Sequence, residues 1–172
     1  MSVLLLSGGL DSAVCLALQK PDVALFVDYG QPHLHAEQPR ASALADAHNV
    51  VLRTVTVRVP FWEFDPQDET MLTPGRNLVL ASLAAALGTP VVMGCNADDY
   101  EVYSDCRSEF FEALRPMIDV HTPLIDKTKV EIGALARRLG ITPEQTWSCY
   151  YPHDGCPCGE CDACKEREWA LG

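Results

Sequence analysis

Cysteines are concentrated near the C-terminus at a spacing that is typical of a metal site. Five of the eight cysteines fall within residues 149–164. Three of them follow one another with two residues between each, and another lies shortly upstream. Four thiolates in a flexible loop are what a closed, tetrahedral zinc site needs. We therefore predict a structural metal site whose ligands are Cys149, Cys158, Cys161 and Cys164.

Two other chemistries are compatible with part of this pattern. An iron–sulfur cluster uses similar spacings, so the metal is less well defined than the site. A redox-active C-x-x-C pair would leave two of the clustered thiols without a role. Cys156, the fifth thiol, is either a competing ligand or a bystander, and His153 is a further possible ligand.

A glycine-rich turn near the N-terminus has the composition of an anion-binding loop. Residues 7–12 read SGGLDS and stand between an apolar run and a helical pattern. Glycines let the backbone approach an anion, and the helix start offers free N–H groups. No Walker A lysine follows, and Asp11 is expected to cap the helix or to meet magnesium. An ordinary βα turn is the alternative; the predicted loop comprises Leu6, Ser7, Gly8, Gly9, Leu10, Asp11 and Ser12.

Composition limits the classes of function. The chain of 172 residues has a formal net charge of −11, which argues against broad electrostatic binding of nucleic acids. Hydrophobic residues make up 48% of it, enough for a core without disulfides, but no run is long enough to span a membrane. The apolar N-terminus lacks a basic region and is interpreted as a buried strand, not a signal peptide. We expect a cytoplasmic protein, where clustered thiols favour metal over disulfides.

Strands and helices alternate along the chain and would bring these sites together. Apolar runs predict strands at residues 3–6, 23–28, 50–57, 90–94 and around 120. Helices are predicted from residue 11 and over 35–48, 77–87, 108–117 and 128–139. Pro39 is expected in the first turn of its helix, and Thr128 is expected as an N-cap. The order predicts an α/β fold, a doubly wound parallel sheet that binds ligands at the carboxyl ends of its strands. We predict one domain, with an α/β core over 1–146 and a metal-binding segment over 147–172.

Residues 7–12 resemble the PP-loop, S-G-G-x-D-S, of the ATP pyrophosphatase superfamily. Together with the cysteine pattern they make nearly the whole chain similar to the 7-cyano-7-deazaguanine synthase family. Further motifs resemble that family in order along the chain: residues 28–31 (DYGQ), 73–77 (TPGRN), 94–100 (GCNADDY), 103–107 (YSDCR), 121–124 (HTPL) and 146–150 (TWSCY).

The resemblance implies an ATP-dependent ligase with a Rossmann-type PP-loop fold. Its members activate 7-carboxy-7-deazaguanine with ATP and magnesium, form an amide with ammonia, and dehydrate that amide with a second ATP. It implies that zinc is bound by the four cysteines and that the family's cations, carboxylates and amides surround the substrate. The corresponding candidates here are Tyr29, Gln31, Gly75, Arg76, Asn77, Asp99, Asp105, Arg107, His121 and Lys129.

Among these candidates, cations and carboxylates have separate expected roles. Arg76, Arg107 and Lys129 are expected to offset phosphate charge. Asp99 and Asp105 are expected to bind magnesium or the N–H edge of the deazaguanine.

The chain also departs from the family pattern. It is short between residues 57 and 73, and Pro32, Glu101, Val102 and Ser104 replace the usual residues. We expect these changes to lie around the substrate pocket. They leave open a divergent paralogue that stops at an amide or passes the acyl group to another amine, in a phage, DNA-modification or defence setting. A non-catalytic, ATP-binding zinc module is the alternative of another class. A homodimer is a further expectation, with Trp147 and Trp169 as candidate interface residues.

Overall fold

The computed structural model describes residues 1–60, 62 and 73–171. Five parallel strands form one sheet in the order β3-β2-β1-β4-β5. Their bounds are Val3–Leu5 (β1), Val23–Asp28 (β2), Val51–Thr56 (β3), Val91–Val92 (β4) and Val120–His121 (β5). The helices are Leu10–Gln19 (α1), Leu34–Ala47 (α2), Arg76–Leu87 (α3), Asp99–Val102 (α4), Ser108–Leu114 (α5), Lys129–Arg138 (α6) and Asp162–Leu171 (α7). Short 3₁₀ helices cover Ser104–Cys106 and Pro143–Gln145.

The strand order places the glycine loop where ligands bind in such sheets. The chain runs from β1 outward to β2 and β3, then returns to add β4 and β5 on the other side of β1. The order therefore reverses beside β1, and a crevice opens at the carboxyl ends of the strands at that point. Residues 7–12 follow β1 directly, so the loop lies at this crevice. The predicted doubly wound α/β fold is confirmed.

Each face of the sheet is covered by helices, so β1 is buried on both sides. Val3 enters one hydrophobic cluster with Met93 and Phe111, whereas Leu4 enters the opposite cluster with Val14. Successive residues of a strand point to opposite faces, which explains why the central strands read as continuous apolar runs. Within the part of the chain that the structure describes, no helix has the length and apolar character needed to cross a membrane.

Most helix boundaries follow the local sequence, with one correction. Thr128 caps α6 through a capping box with Glu131, and Gly140 follows the helix in a left-handed conformation, as predicted. The expectation for Pro39 was wrong, because α2 starts at Leu34 and Pro39 lies inside the helix. The chain turns into the helix earlier than the pattern indicated, since Leu34 N–H already donates to the carbonyl of Gln31.

Helix α7 docks closely on α6 and closes the core at the C-terminal end. Gly133 of α6 is buried, and a Cβ at this position would overlap the backbone carbonyl of Ala170 on α7. Arg137 donates to the same carbonyl at 2.7 Å. The missing side chain of Gly133 is thus what lets the two backbones approach.

We predict that Gly133→Ala lowers the free energy of unfolding by about 1–3 kcal/mol, because the added methyl group forces α7 away from α6. Ala134→Ser, at an exposed position of the same helix, serves as the control. Urea denaturation followed by circular dichroism measures both. A Gly133→Ala protein that is more stable, as helix propensity alone would make it, contradicts the proposed close packing.

Candidate active site and metal centre

A cavity of about 280 Å³ opens at the carboxyl ends of β1, β2 and β4. Its walls are the glycine loop, the segment after β2, the start of α3, the start of α6 and one side of α7. Six of the substrate candidates line it, namely Tyr29, Gln31, Arg76, Asn77, Asp99 and Lys129. The other four, Gly75, Asp105, Arg107 and His121, do not line this cavity.

The glycine loop is shaped by a contact that only glycine can make. Gly8 has φ of +84°, and a Cβ at this position would lie 2.6 Å from the carbonyl oxygen of Glu37. The hydroxyl oxygens of Ser7 and Ser12 lie 3.2 Å apart, and the Gly9 N–H donates to the Ser7 hydroxyl. Gly9 is the N-cap of α1 but provides no side-chain cap, so the first N–H groups of the helix stay available. Hydroxyls and N–H groups together can bind a phosphate or pyrophosphate.

A buried ion pair stands next to this loop. Lys129 Nζ lies 2.6 Å from Asp11 Oδ2, and both side chains are more than four-fifths buried. Asp11 thus does not cap α1, in contrast to one of the two expectations for it. Burial lowers the pKa of Lys129, but the carboxylates of Asp11 and Asp99 outweigh this effect and raise it. Lys129 therefore stays charged and can face the negative charge of a phosphate.

Asn96 connects this ion pair to a second carboxylate. Its Nδ2 donates to Asp11 Oδ2 at 3.1 Å and to Asp99 Oδ2 at 2.7 Å. Burial raises the pKa of Asp99 to about 6, while Lys129 acts in the opposite direction. Asp11 Oδ1 is buried and has no hydrogen-bond partner among the described residues. An oxygen of this kind can serve as a ligand of a hard cation.

Arg76 supplies a second cation to the cavity. It is the first residue of α3, its guanidinium lies 5.9 Å from the ring of Tyr103, and it hydrogen bonds to Tyr29. No carboxylate of the described residues lies within ion-pair distance of it. Its pKa is raised even though burial lowers it, because Tyr29 and other acidic groups favour the charged form. A partly enclosed cation of this type is suited to a carboxylate or phosphate of a ligand.

Asp105 and Arg107 are engaged outside the cavity. The Asp105 carboxylate accepts the backbone N–H of Asn77 at 3.1 Å, so it supports the start of α3. Asn77 in turn donates to the Asp105 carbonyl and to the Cys106 sulfur. Arg107 donates to the carbonyl of Tyr100.

Gly75 and His121 also lie outside the cavity. Gly75 precedes α3 in a left-handed conformation, and His121 is exposed on β5.

A carboxylate that the sequence analysis missed lies on the β2 side of the cavity. Glu37 Oε2 accepts from Gln31 Nε2 at 3.1 Å, and Glu37 Oε1 lies 3.4 Å from His33 Nε2. The ring of Tyr150 lies 5.8 Å from that of His33. The sequence feature that could have indicated this contact is the helical i, i+4 spacing of His33 and Glu37, shortly after the DYGQ motif.

Helix α7 contributes two more charged residues that the sequence analysis missed, Glu166 and Arg167. Glu166 is partly buried, and burial raises its pKa against the opposing effect of Lys129. Arg167 hydrogen bonds to the Thr146 and Ser148 hydroxyls, to the Thr146 carbonyl and to the Pro143 carbonyl. The C-terminal segment therefore forms part of the cavity wall.

The four predicted metal ligands meet at one point beside α7. The sulfur atoms of Cys149, Cys158, Cys161 and Cys164 all lie within 4.8 Å of one another, and those of Cys158 and Cys164 are 3.9 Å apart. A tetrahedral ion with bonds of about 2.3 Å to sulfur requires separations of about 3.8 Å, so the group fits a single ion.

Backbone N–H groups support the charged state of these thiols. The Cys158 N–H donates to the sulfur of Cys149, and the Cys161 N–H donates to that of Cys158. Burial raises the pKa of Cys158, but N–H donors and neighbouring thiols bring it down to about 6. Cys156 is exposed and is not among the four clustered sulfurs, and its backbone pairs with that of exposed His153. The arrangement favours the interpretation of Cys156 as a bystander.

Two further expectations need correction. Trp147 is only 5% exposed and its ring packs under the guanidinium of Arg40, so it is not available to a dimer interface. The side chain of Trp169 lies outside what the structure describes.

The residues that depart from the family pattern were expected around the substrate pocket. Three of them are exposed and do not line the cavity, namely Pro32, Val102 and Ser104, whereas the side chain of Glu101 lies outside the described part.

Comparisons with known proteins agree with this architecture. The family model described as "Queuosine biosynthesis protein QueC" matches residues 1–64 and 63–172. Proteins named 7-cyano-7-deazaguanine synthase from Synechococcus sp. (strain CC9311) and Novosphingobium aromaticivorans are 35% and 36% identical, and the alignments cover 99% and 97% of this chain and 92% and 88% of theirs. The first alignment extends over 209 positions, and the family match is split at residues 63–64, where the chain was predicted to be short.

Two solved structures share the fold. NMN synthetase from Francisella tularensis has a TM-score of 0.62 and 21% identity, and the match covers 98% of this chain and 74% of that one. The U34-tRNA thiolase NcsA from Methanococcus maripaludis, with its [4Fe-4S] cluster, has a TM-score of 0.60 and 15% identity over 98% of this chain and 62% of its own. At such identities the likeness establishes the fold alone.

The ligand assignment gives a first testable prediction for this site. We expect Cys158→Ser to lose the bound metal, because the tetrahedral group loses one of its four thiolates. Cys156→Ser, two residues away, should keep one metal ion per chain. Elemental analysis of both purified proteins by plasma mass spectrometry decides between them. Equal metal loss in the two variants would show that the ligand set is different.

The buried carboxylate of Asp99 predicts a pH-dependent stability. Its folded pKa of about 6 lies above the unfolded value near 3.9, so its contribution is present below about pH 4 and is lost as the pH rises through about 6. Ionised Asp99 then costs roughly 1–3 kcal/mol. Asp99→Asn should therefore melt at a higher temperature than the parent protein at pH 8 but not at pH 4. Exposed Asp126→Asn is the control; a Tm difference for Asp99→Asn that is independent of pH would contradict the raised pKa.

Proposed function

Because the chain belongs to the QueC family of queuosine biosynthesis proteins, we propose that it converts 7-carboxy-7-deazaguanine, ammonia and ATP into 7-cyano-7-deazaguanine. One observation carries the proposal beyond the family assignment. The SGGLDS loop, the buried Lys129 and the guanidinium of Arg76, which has no carboxylate partner among the described residues, all face one cavity. That cavity joins a phosphate-binding edge to a site for a carboxylate.

The reaction needs two activations of the same carbon. The substrate carboxylate attacks the α-phosphorus of ATP and releases pyrophosphate; ammonia then displaces AMP and loses a proton, which gives the amide. The amide oxygen attacks a second ATP and releases a second pyrophosphate as its nitrogen loses a proton. Loss of the second AMP, with the remaining N–H proton, leaves the nitrile. No covalent bond to the protein is needed, so positioning and electrostatic stabilisation carry the catalysis.

Different cavity residues are proposed to bind the phosphates, orient the substrate and accept protons. Residues 7–12 and Lys129 hold the phosphates, whose charge develops as pyrophosphate leaves. Arg76 orients the substrate carboxylate through paired N–H donors. Glu37, held by Gln31, is placed to accept the N–H donors of the deazaguanine ring. Asp99 has a pKa that suits it to accept protons from the attacking nitrogen.

Two metals belong to the proposal. Magnesium accompanies ATP and neutralises phosphate charge, and the unpartnered oxygen of Asp11 is the candidate protein ligand. Zinc is the proposed ion of the four-cysteine group and has a structural role. A [4Fe–4S] cluster places each cysteine on a different iron, which calls for wider spacing than the observed sulfur positions.

Ammonia and the small substrate are the proposed partners, and a cytoplasmic location keeps the four thiols reduced. The homodimer stays a prediction. Nothing in the described cavity favours the divergent paralogue or the non-catalytic module over the nitrile-forming reaction.

The proposal predicts a specific product stoichiometry. The zinc-loaded protein, mixed with 7-carboxy-7-deazaguanine, ATP, magnesium and ammonium, should yield the nitrile with two AMP for each product, measured by mass spectrometry. Lys129→Met should lower kcat/KM for ATP by roughly 10²–10³-fold, because the developing charge on pyrophosphate loses its cation. Lys165→Met, which removes an exposed lysine of α7, is the matched control.

Other products would identify other activities. An amide as the final product, with one AMP, would point to the divergent ligase. Absence of AMP with this substrate would reject the proposed reaction.

A further inference from the structure

The glycine loop and the metal centre are joined by a single tryptophan. Trp147 donates its backbone N–H to the carbonyl of Gly8 at 2.9 Å. Its indole Nε1 donates to the carbonyl of Cys149, a metal ligand, at 2.8 Å. Only one residue separates Trp147 from Cys149 along the chain. Residues 146–148, which we call the Trp147 strap, therefore lie between the metal ligand and the anion loop.

The bond to Gly8 determines which way the loop presents its N–H group. The carbonyl of Gly8 and the N–H of Gly9 belong to one trans peptide unit and point in opposite directions. Holding the carbonyl against Trp147 therefore aims the Gly9 N–H at the Ser7 hydroxyl, on the opposite side. Two consecutive glycines allow this peptide to flip with little steric cost, and a flip would turn the carbonyl oxygen towards the anion.

The strap is also held from the other side by α7. Arg167 donates to the Thr146 carbonyl at 3.1 Å and to the Ser148 hydroxyl at 3.2 Å. Arg167 follows the ligand Cys164 by three residues, on the same helix. The ring of Trp147 is fixed by Arg40, whose guanidinium lies 4.5 Å above it. Two of the four metal ligands are thus close in sequence to these contacts: Cys149 directly follows the strap, and Cys164 lies one turn before Arg167.

We propose that the metal centre positions the anion loop: the ion fixes Cys149 and Cys164, these hold the Trp147 strap, and the strap keeps the Gly8–Gly9 peptide in the orientation that binds the phosphates of ATP. Trp147 and Arg167 are positioning residues in this scheme. The choice of ATP as the ligand rests on the proposed function, but the coupling between metal and loop does not.

Hydrogen exchange of the full chain, with and without its metal, tests the coupling directly. The metal is removed with a chelator, and peptides covering residues 5–14, 143–150 and 23–28 are followed by mass spectrometry. We expect faster exchange at 143–150 and at the glycine loop, while β2 at 23–28 stays protected. Added zinc should restore the slow exchange. An unchanged glycine loop overturns the proposal, and so does simultaneous loss of protection at β2, which would mean that the metal only stabilises the whole fold.

ATP binding provides a second readout that separates this inference from the proposed function. Titration calorimetry should give a Kd for ATP at least tenfold higher for the metal-free protein than for the loaded one. Failure of the loaded protein to bind ATP would count against the proposed function, whereas equal affinity of the two forms would count against the coupling.

Variants that keep all four metal ligands extend the test to the strap. Trp147→Phe removes the indole donor, and Arg167→Lys weakens the hold of α7. Both should retain the metal and raise the Kd for ATP severalfold. Arg137→Lys alters an arginine contact to the carbonyl of Ala170, at the C-terminal end of α7, and should leave the Kd for ATP unchanged. If Trp147→Phe and Arg167→Lys bind ATP with the same Kd as the unmodified protein and the Arg137→Lys control, the proposed role of the strap is overturned.

Discussion

The buried charge cluster around Lys129 is the constraint on which the rest of the site depends. Lys129 starts α6, Asp11 lies in α1, and Asp99 follows β4, so the cluster connects segments 118 residues apart in sequence. Removing several charges from water costs more than their attraction returns unless each is hydrogen bonded. Asn96 provides part of that compensation by donating to both carboxylates. An arrangement this costly is more readily explained by chemistry than by stability, since an apolar core would hold the same helices together.

The architecture of the sheet explains why these charges can be placed so closely. Parallel strands bring every βα turn to one edge, where the first turns of the helices that follow them also lie. The glycine loop after β1, Gln31 and Glu37 after β2, and Gly94, Cys95 and Asp99 after β4 all face one cavity in this way. The fold class is shared with proteins that carry out other reactions, as the NMN synthetase and the tRNA thiolase illustrate. The identity of the side chains at this edge, not the sheet, therefore distinguishes the activities.

Much of this arrangement could be predicted from the sequence, and the limits have physical causes. The alternation of apolar runs and helices gave the sheet, and the cysteine spacing gave the metal group, because both are local patterns. The Trp147 contact to Gly8 and the approach of Glu166 to Lys129 could not be predicted, since both depend on how the C-terminal segment packs against the rest of the fold. Asp11 was expected to cap its helix or to meet magnesium; it does not cap the helix, because a lysine far away in sequence pairs with the same carboxylate. Glu37 was missed because its helix is weakly amphipathic and its contact with Gln31 is seen only in the folded chain.

The departures from the family pattern bear on how far this chain has diverged. Pro32, Val102 and Ser104 replace residues usual in the family, yet all three are exposed and outside the cavity. A change of substrate requires changes in groups that contact it, because discrimination comes from contacts made or left unpaired in the binding site. The cavity is lined by the cations Arg76 and Lys129, by several carboxylates and by the serines of the glycine loop. The alignment with the Synechococcus relative is longer than this chain and the family match is split at 63–64, but Arg76, Lys129 and the glycine loop all lie in other segments. The residues that we propose to activate the substrate therefore all lie outside the segment in which the family match is split.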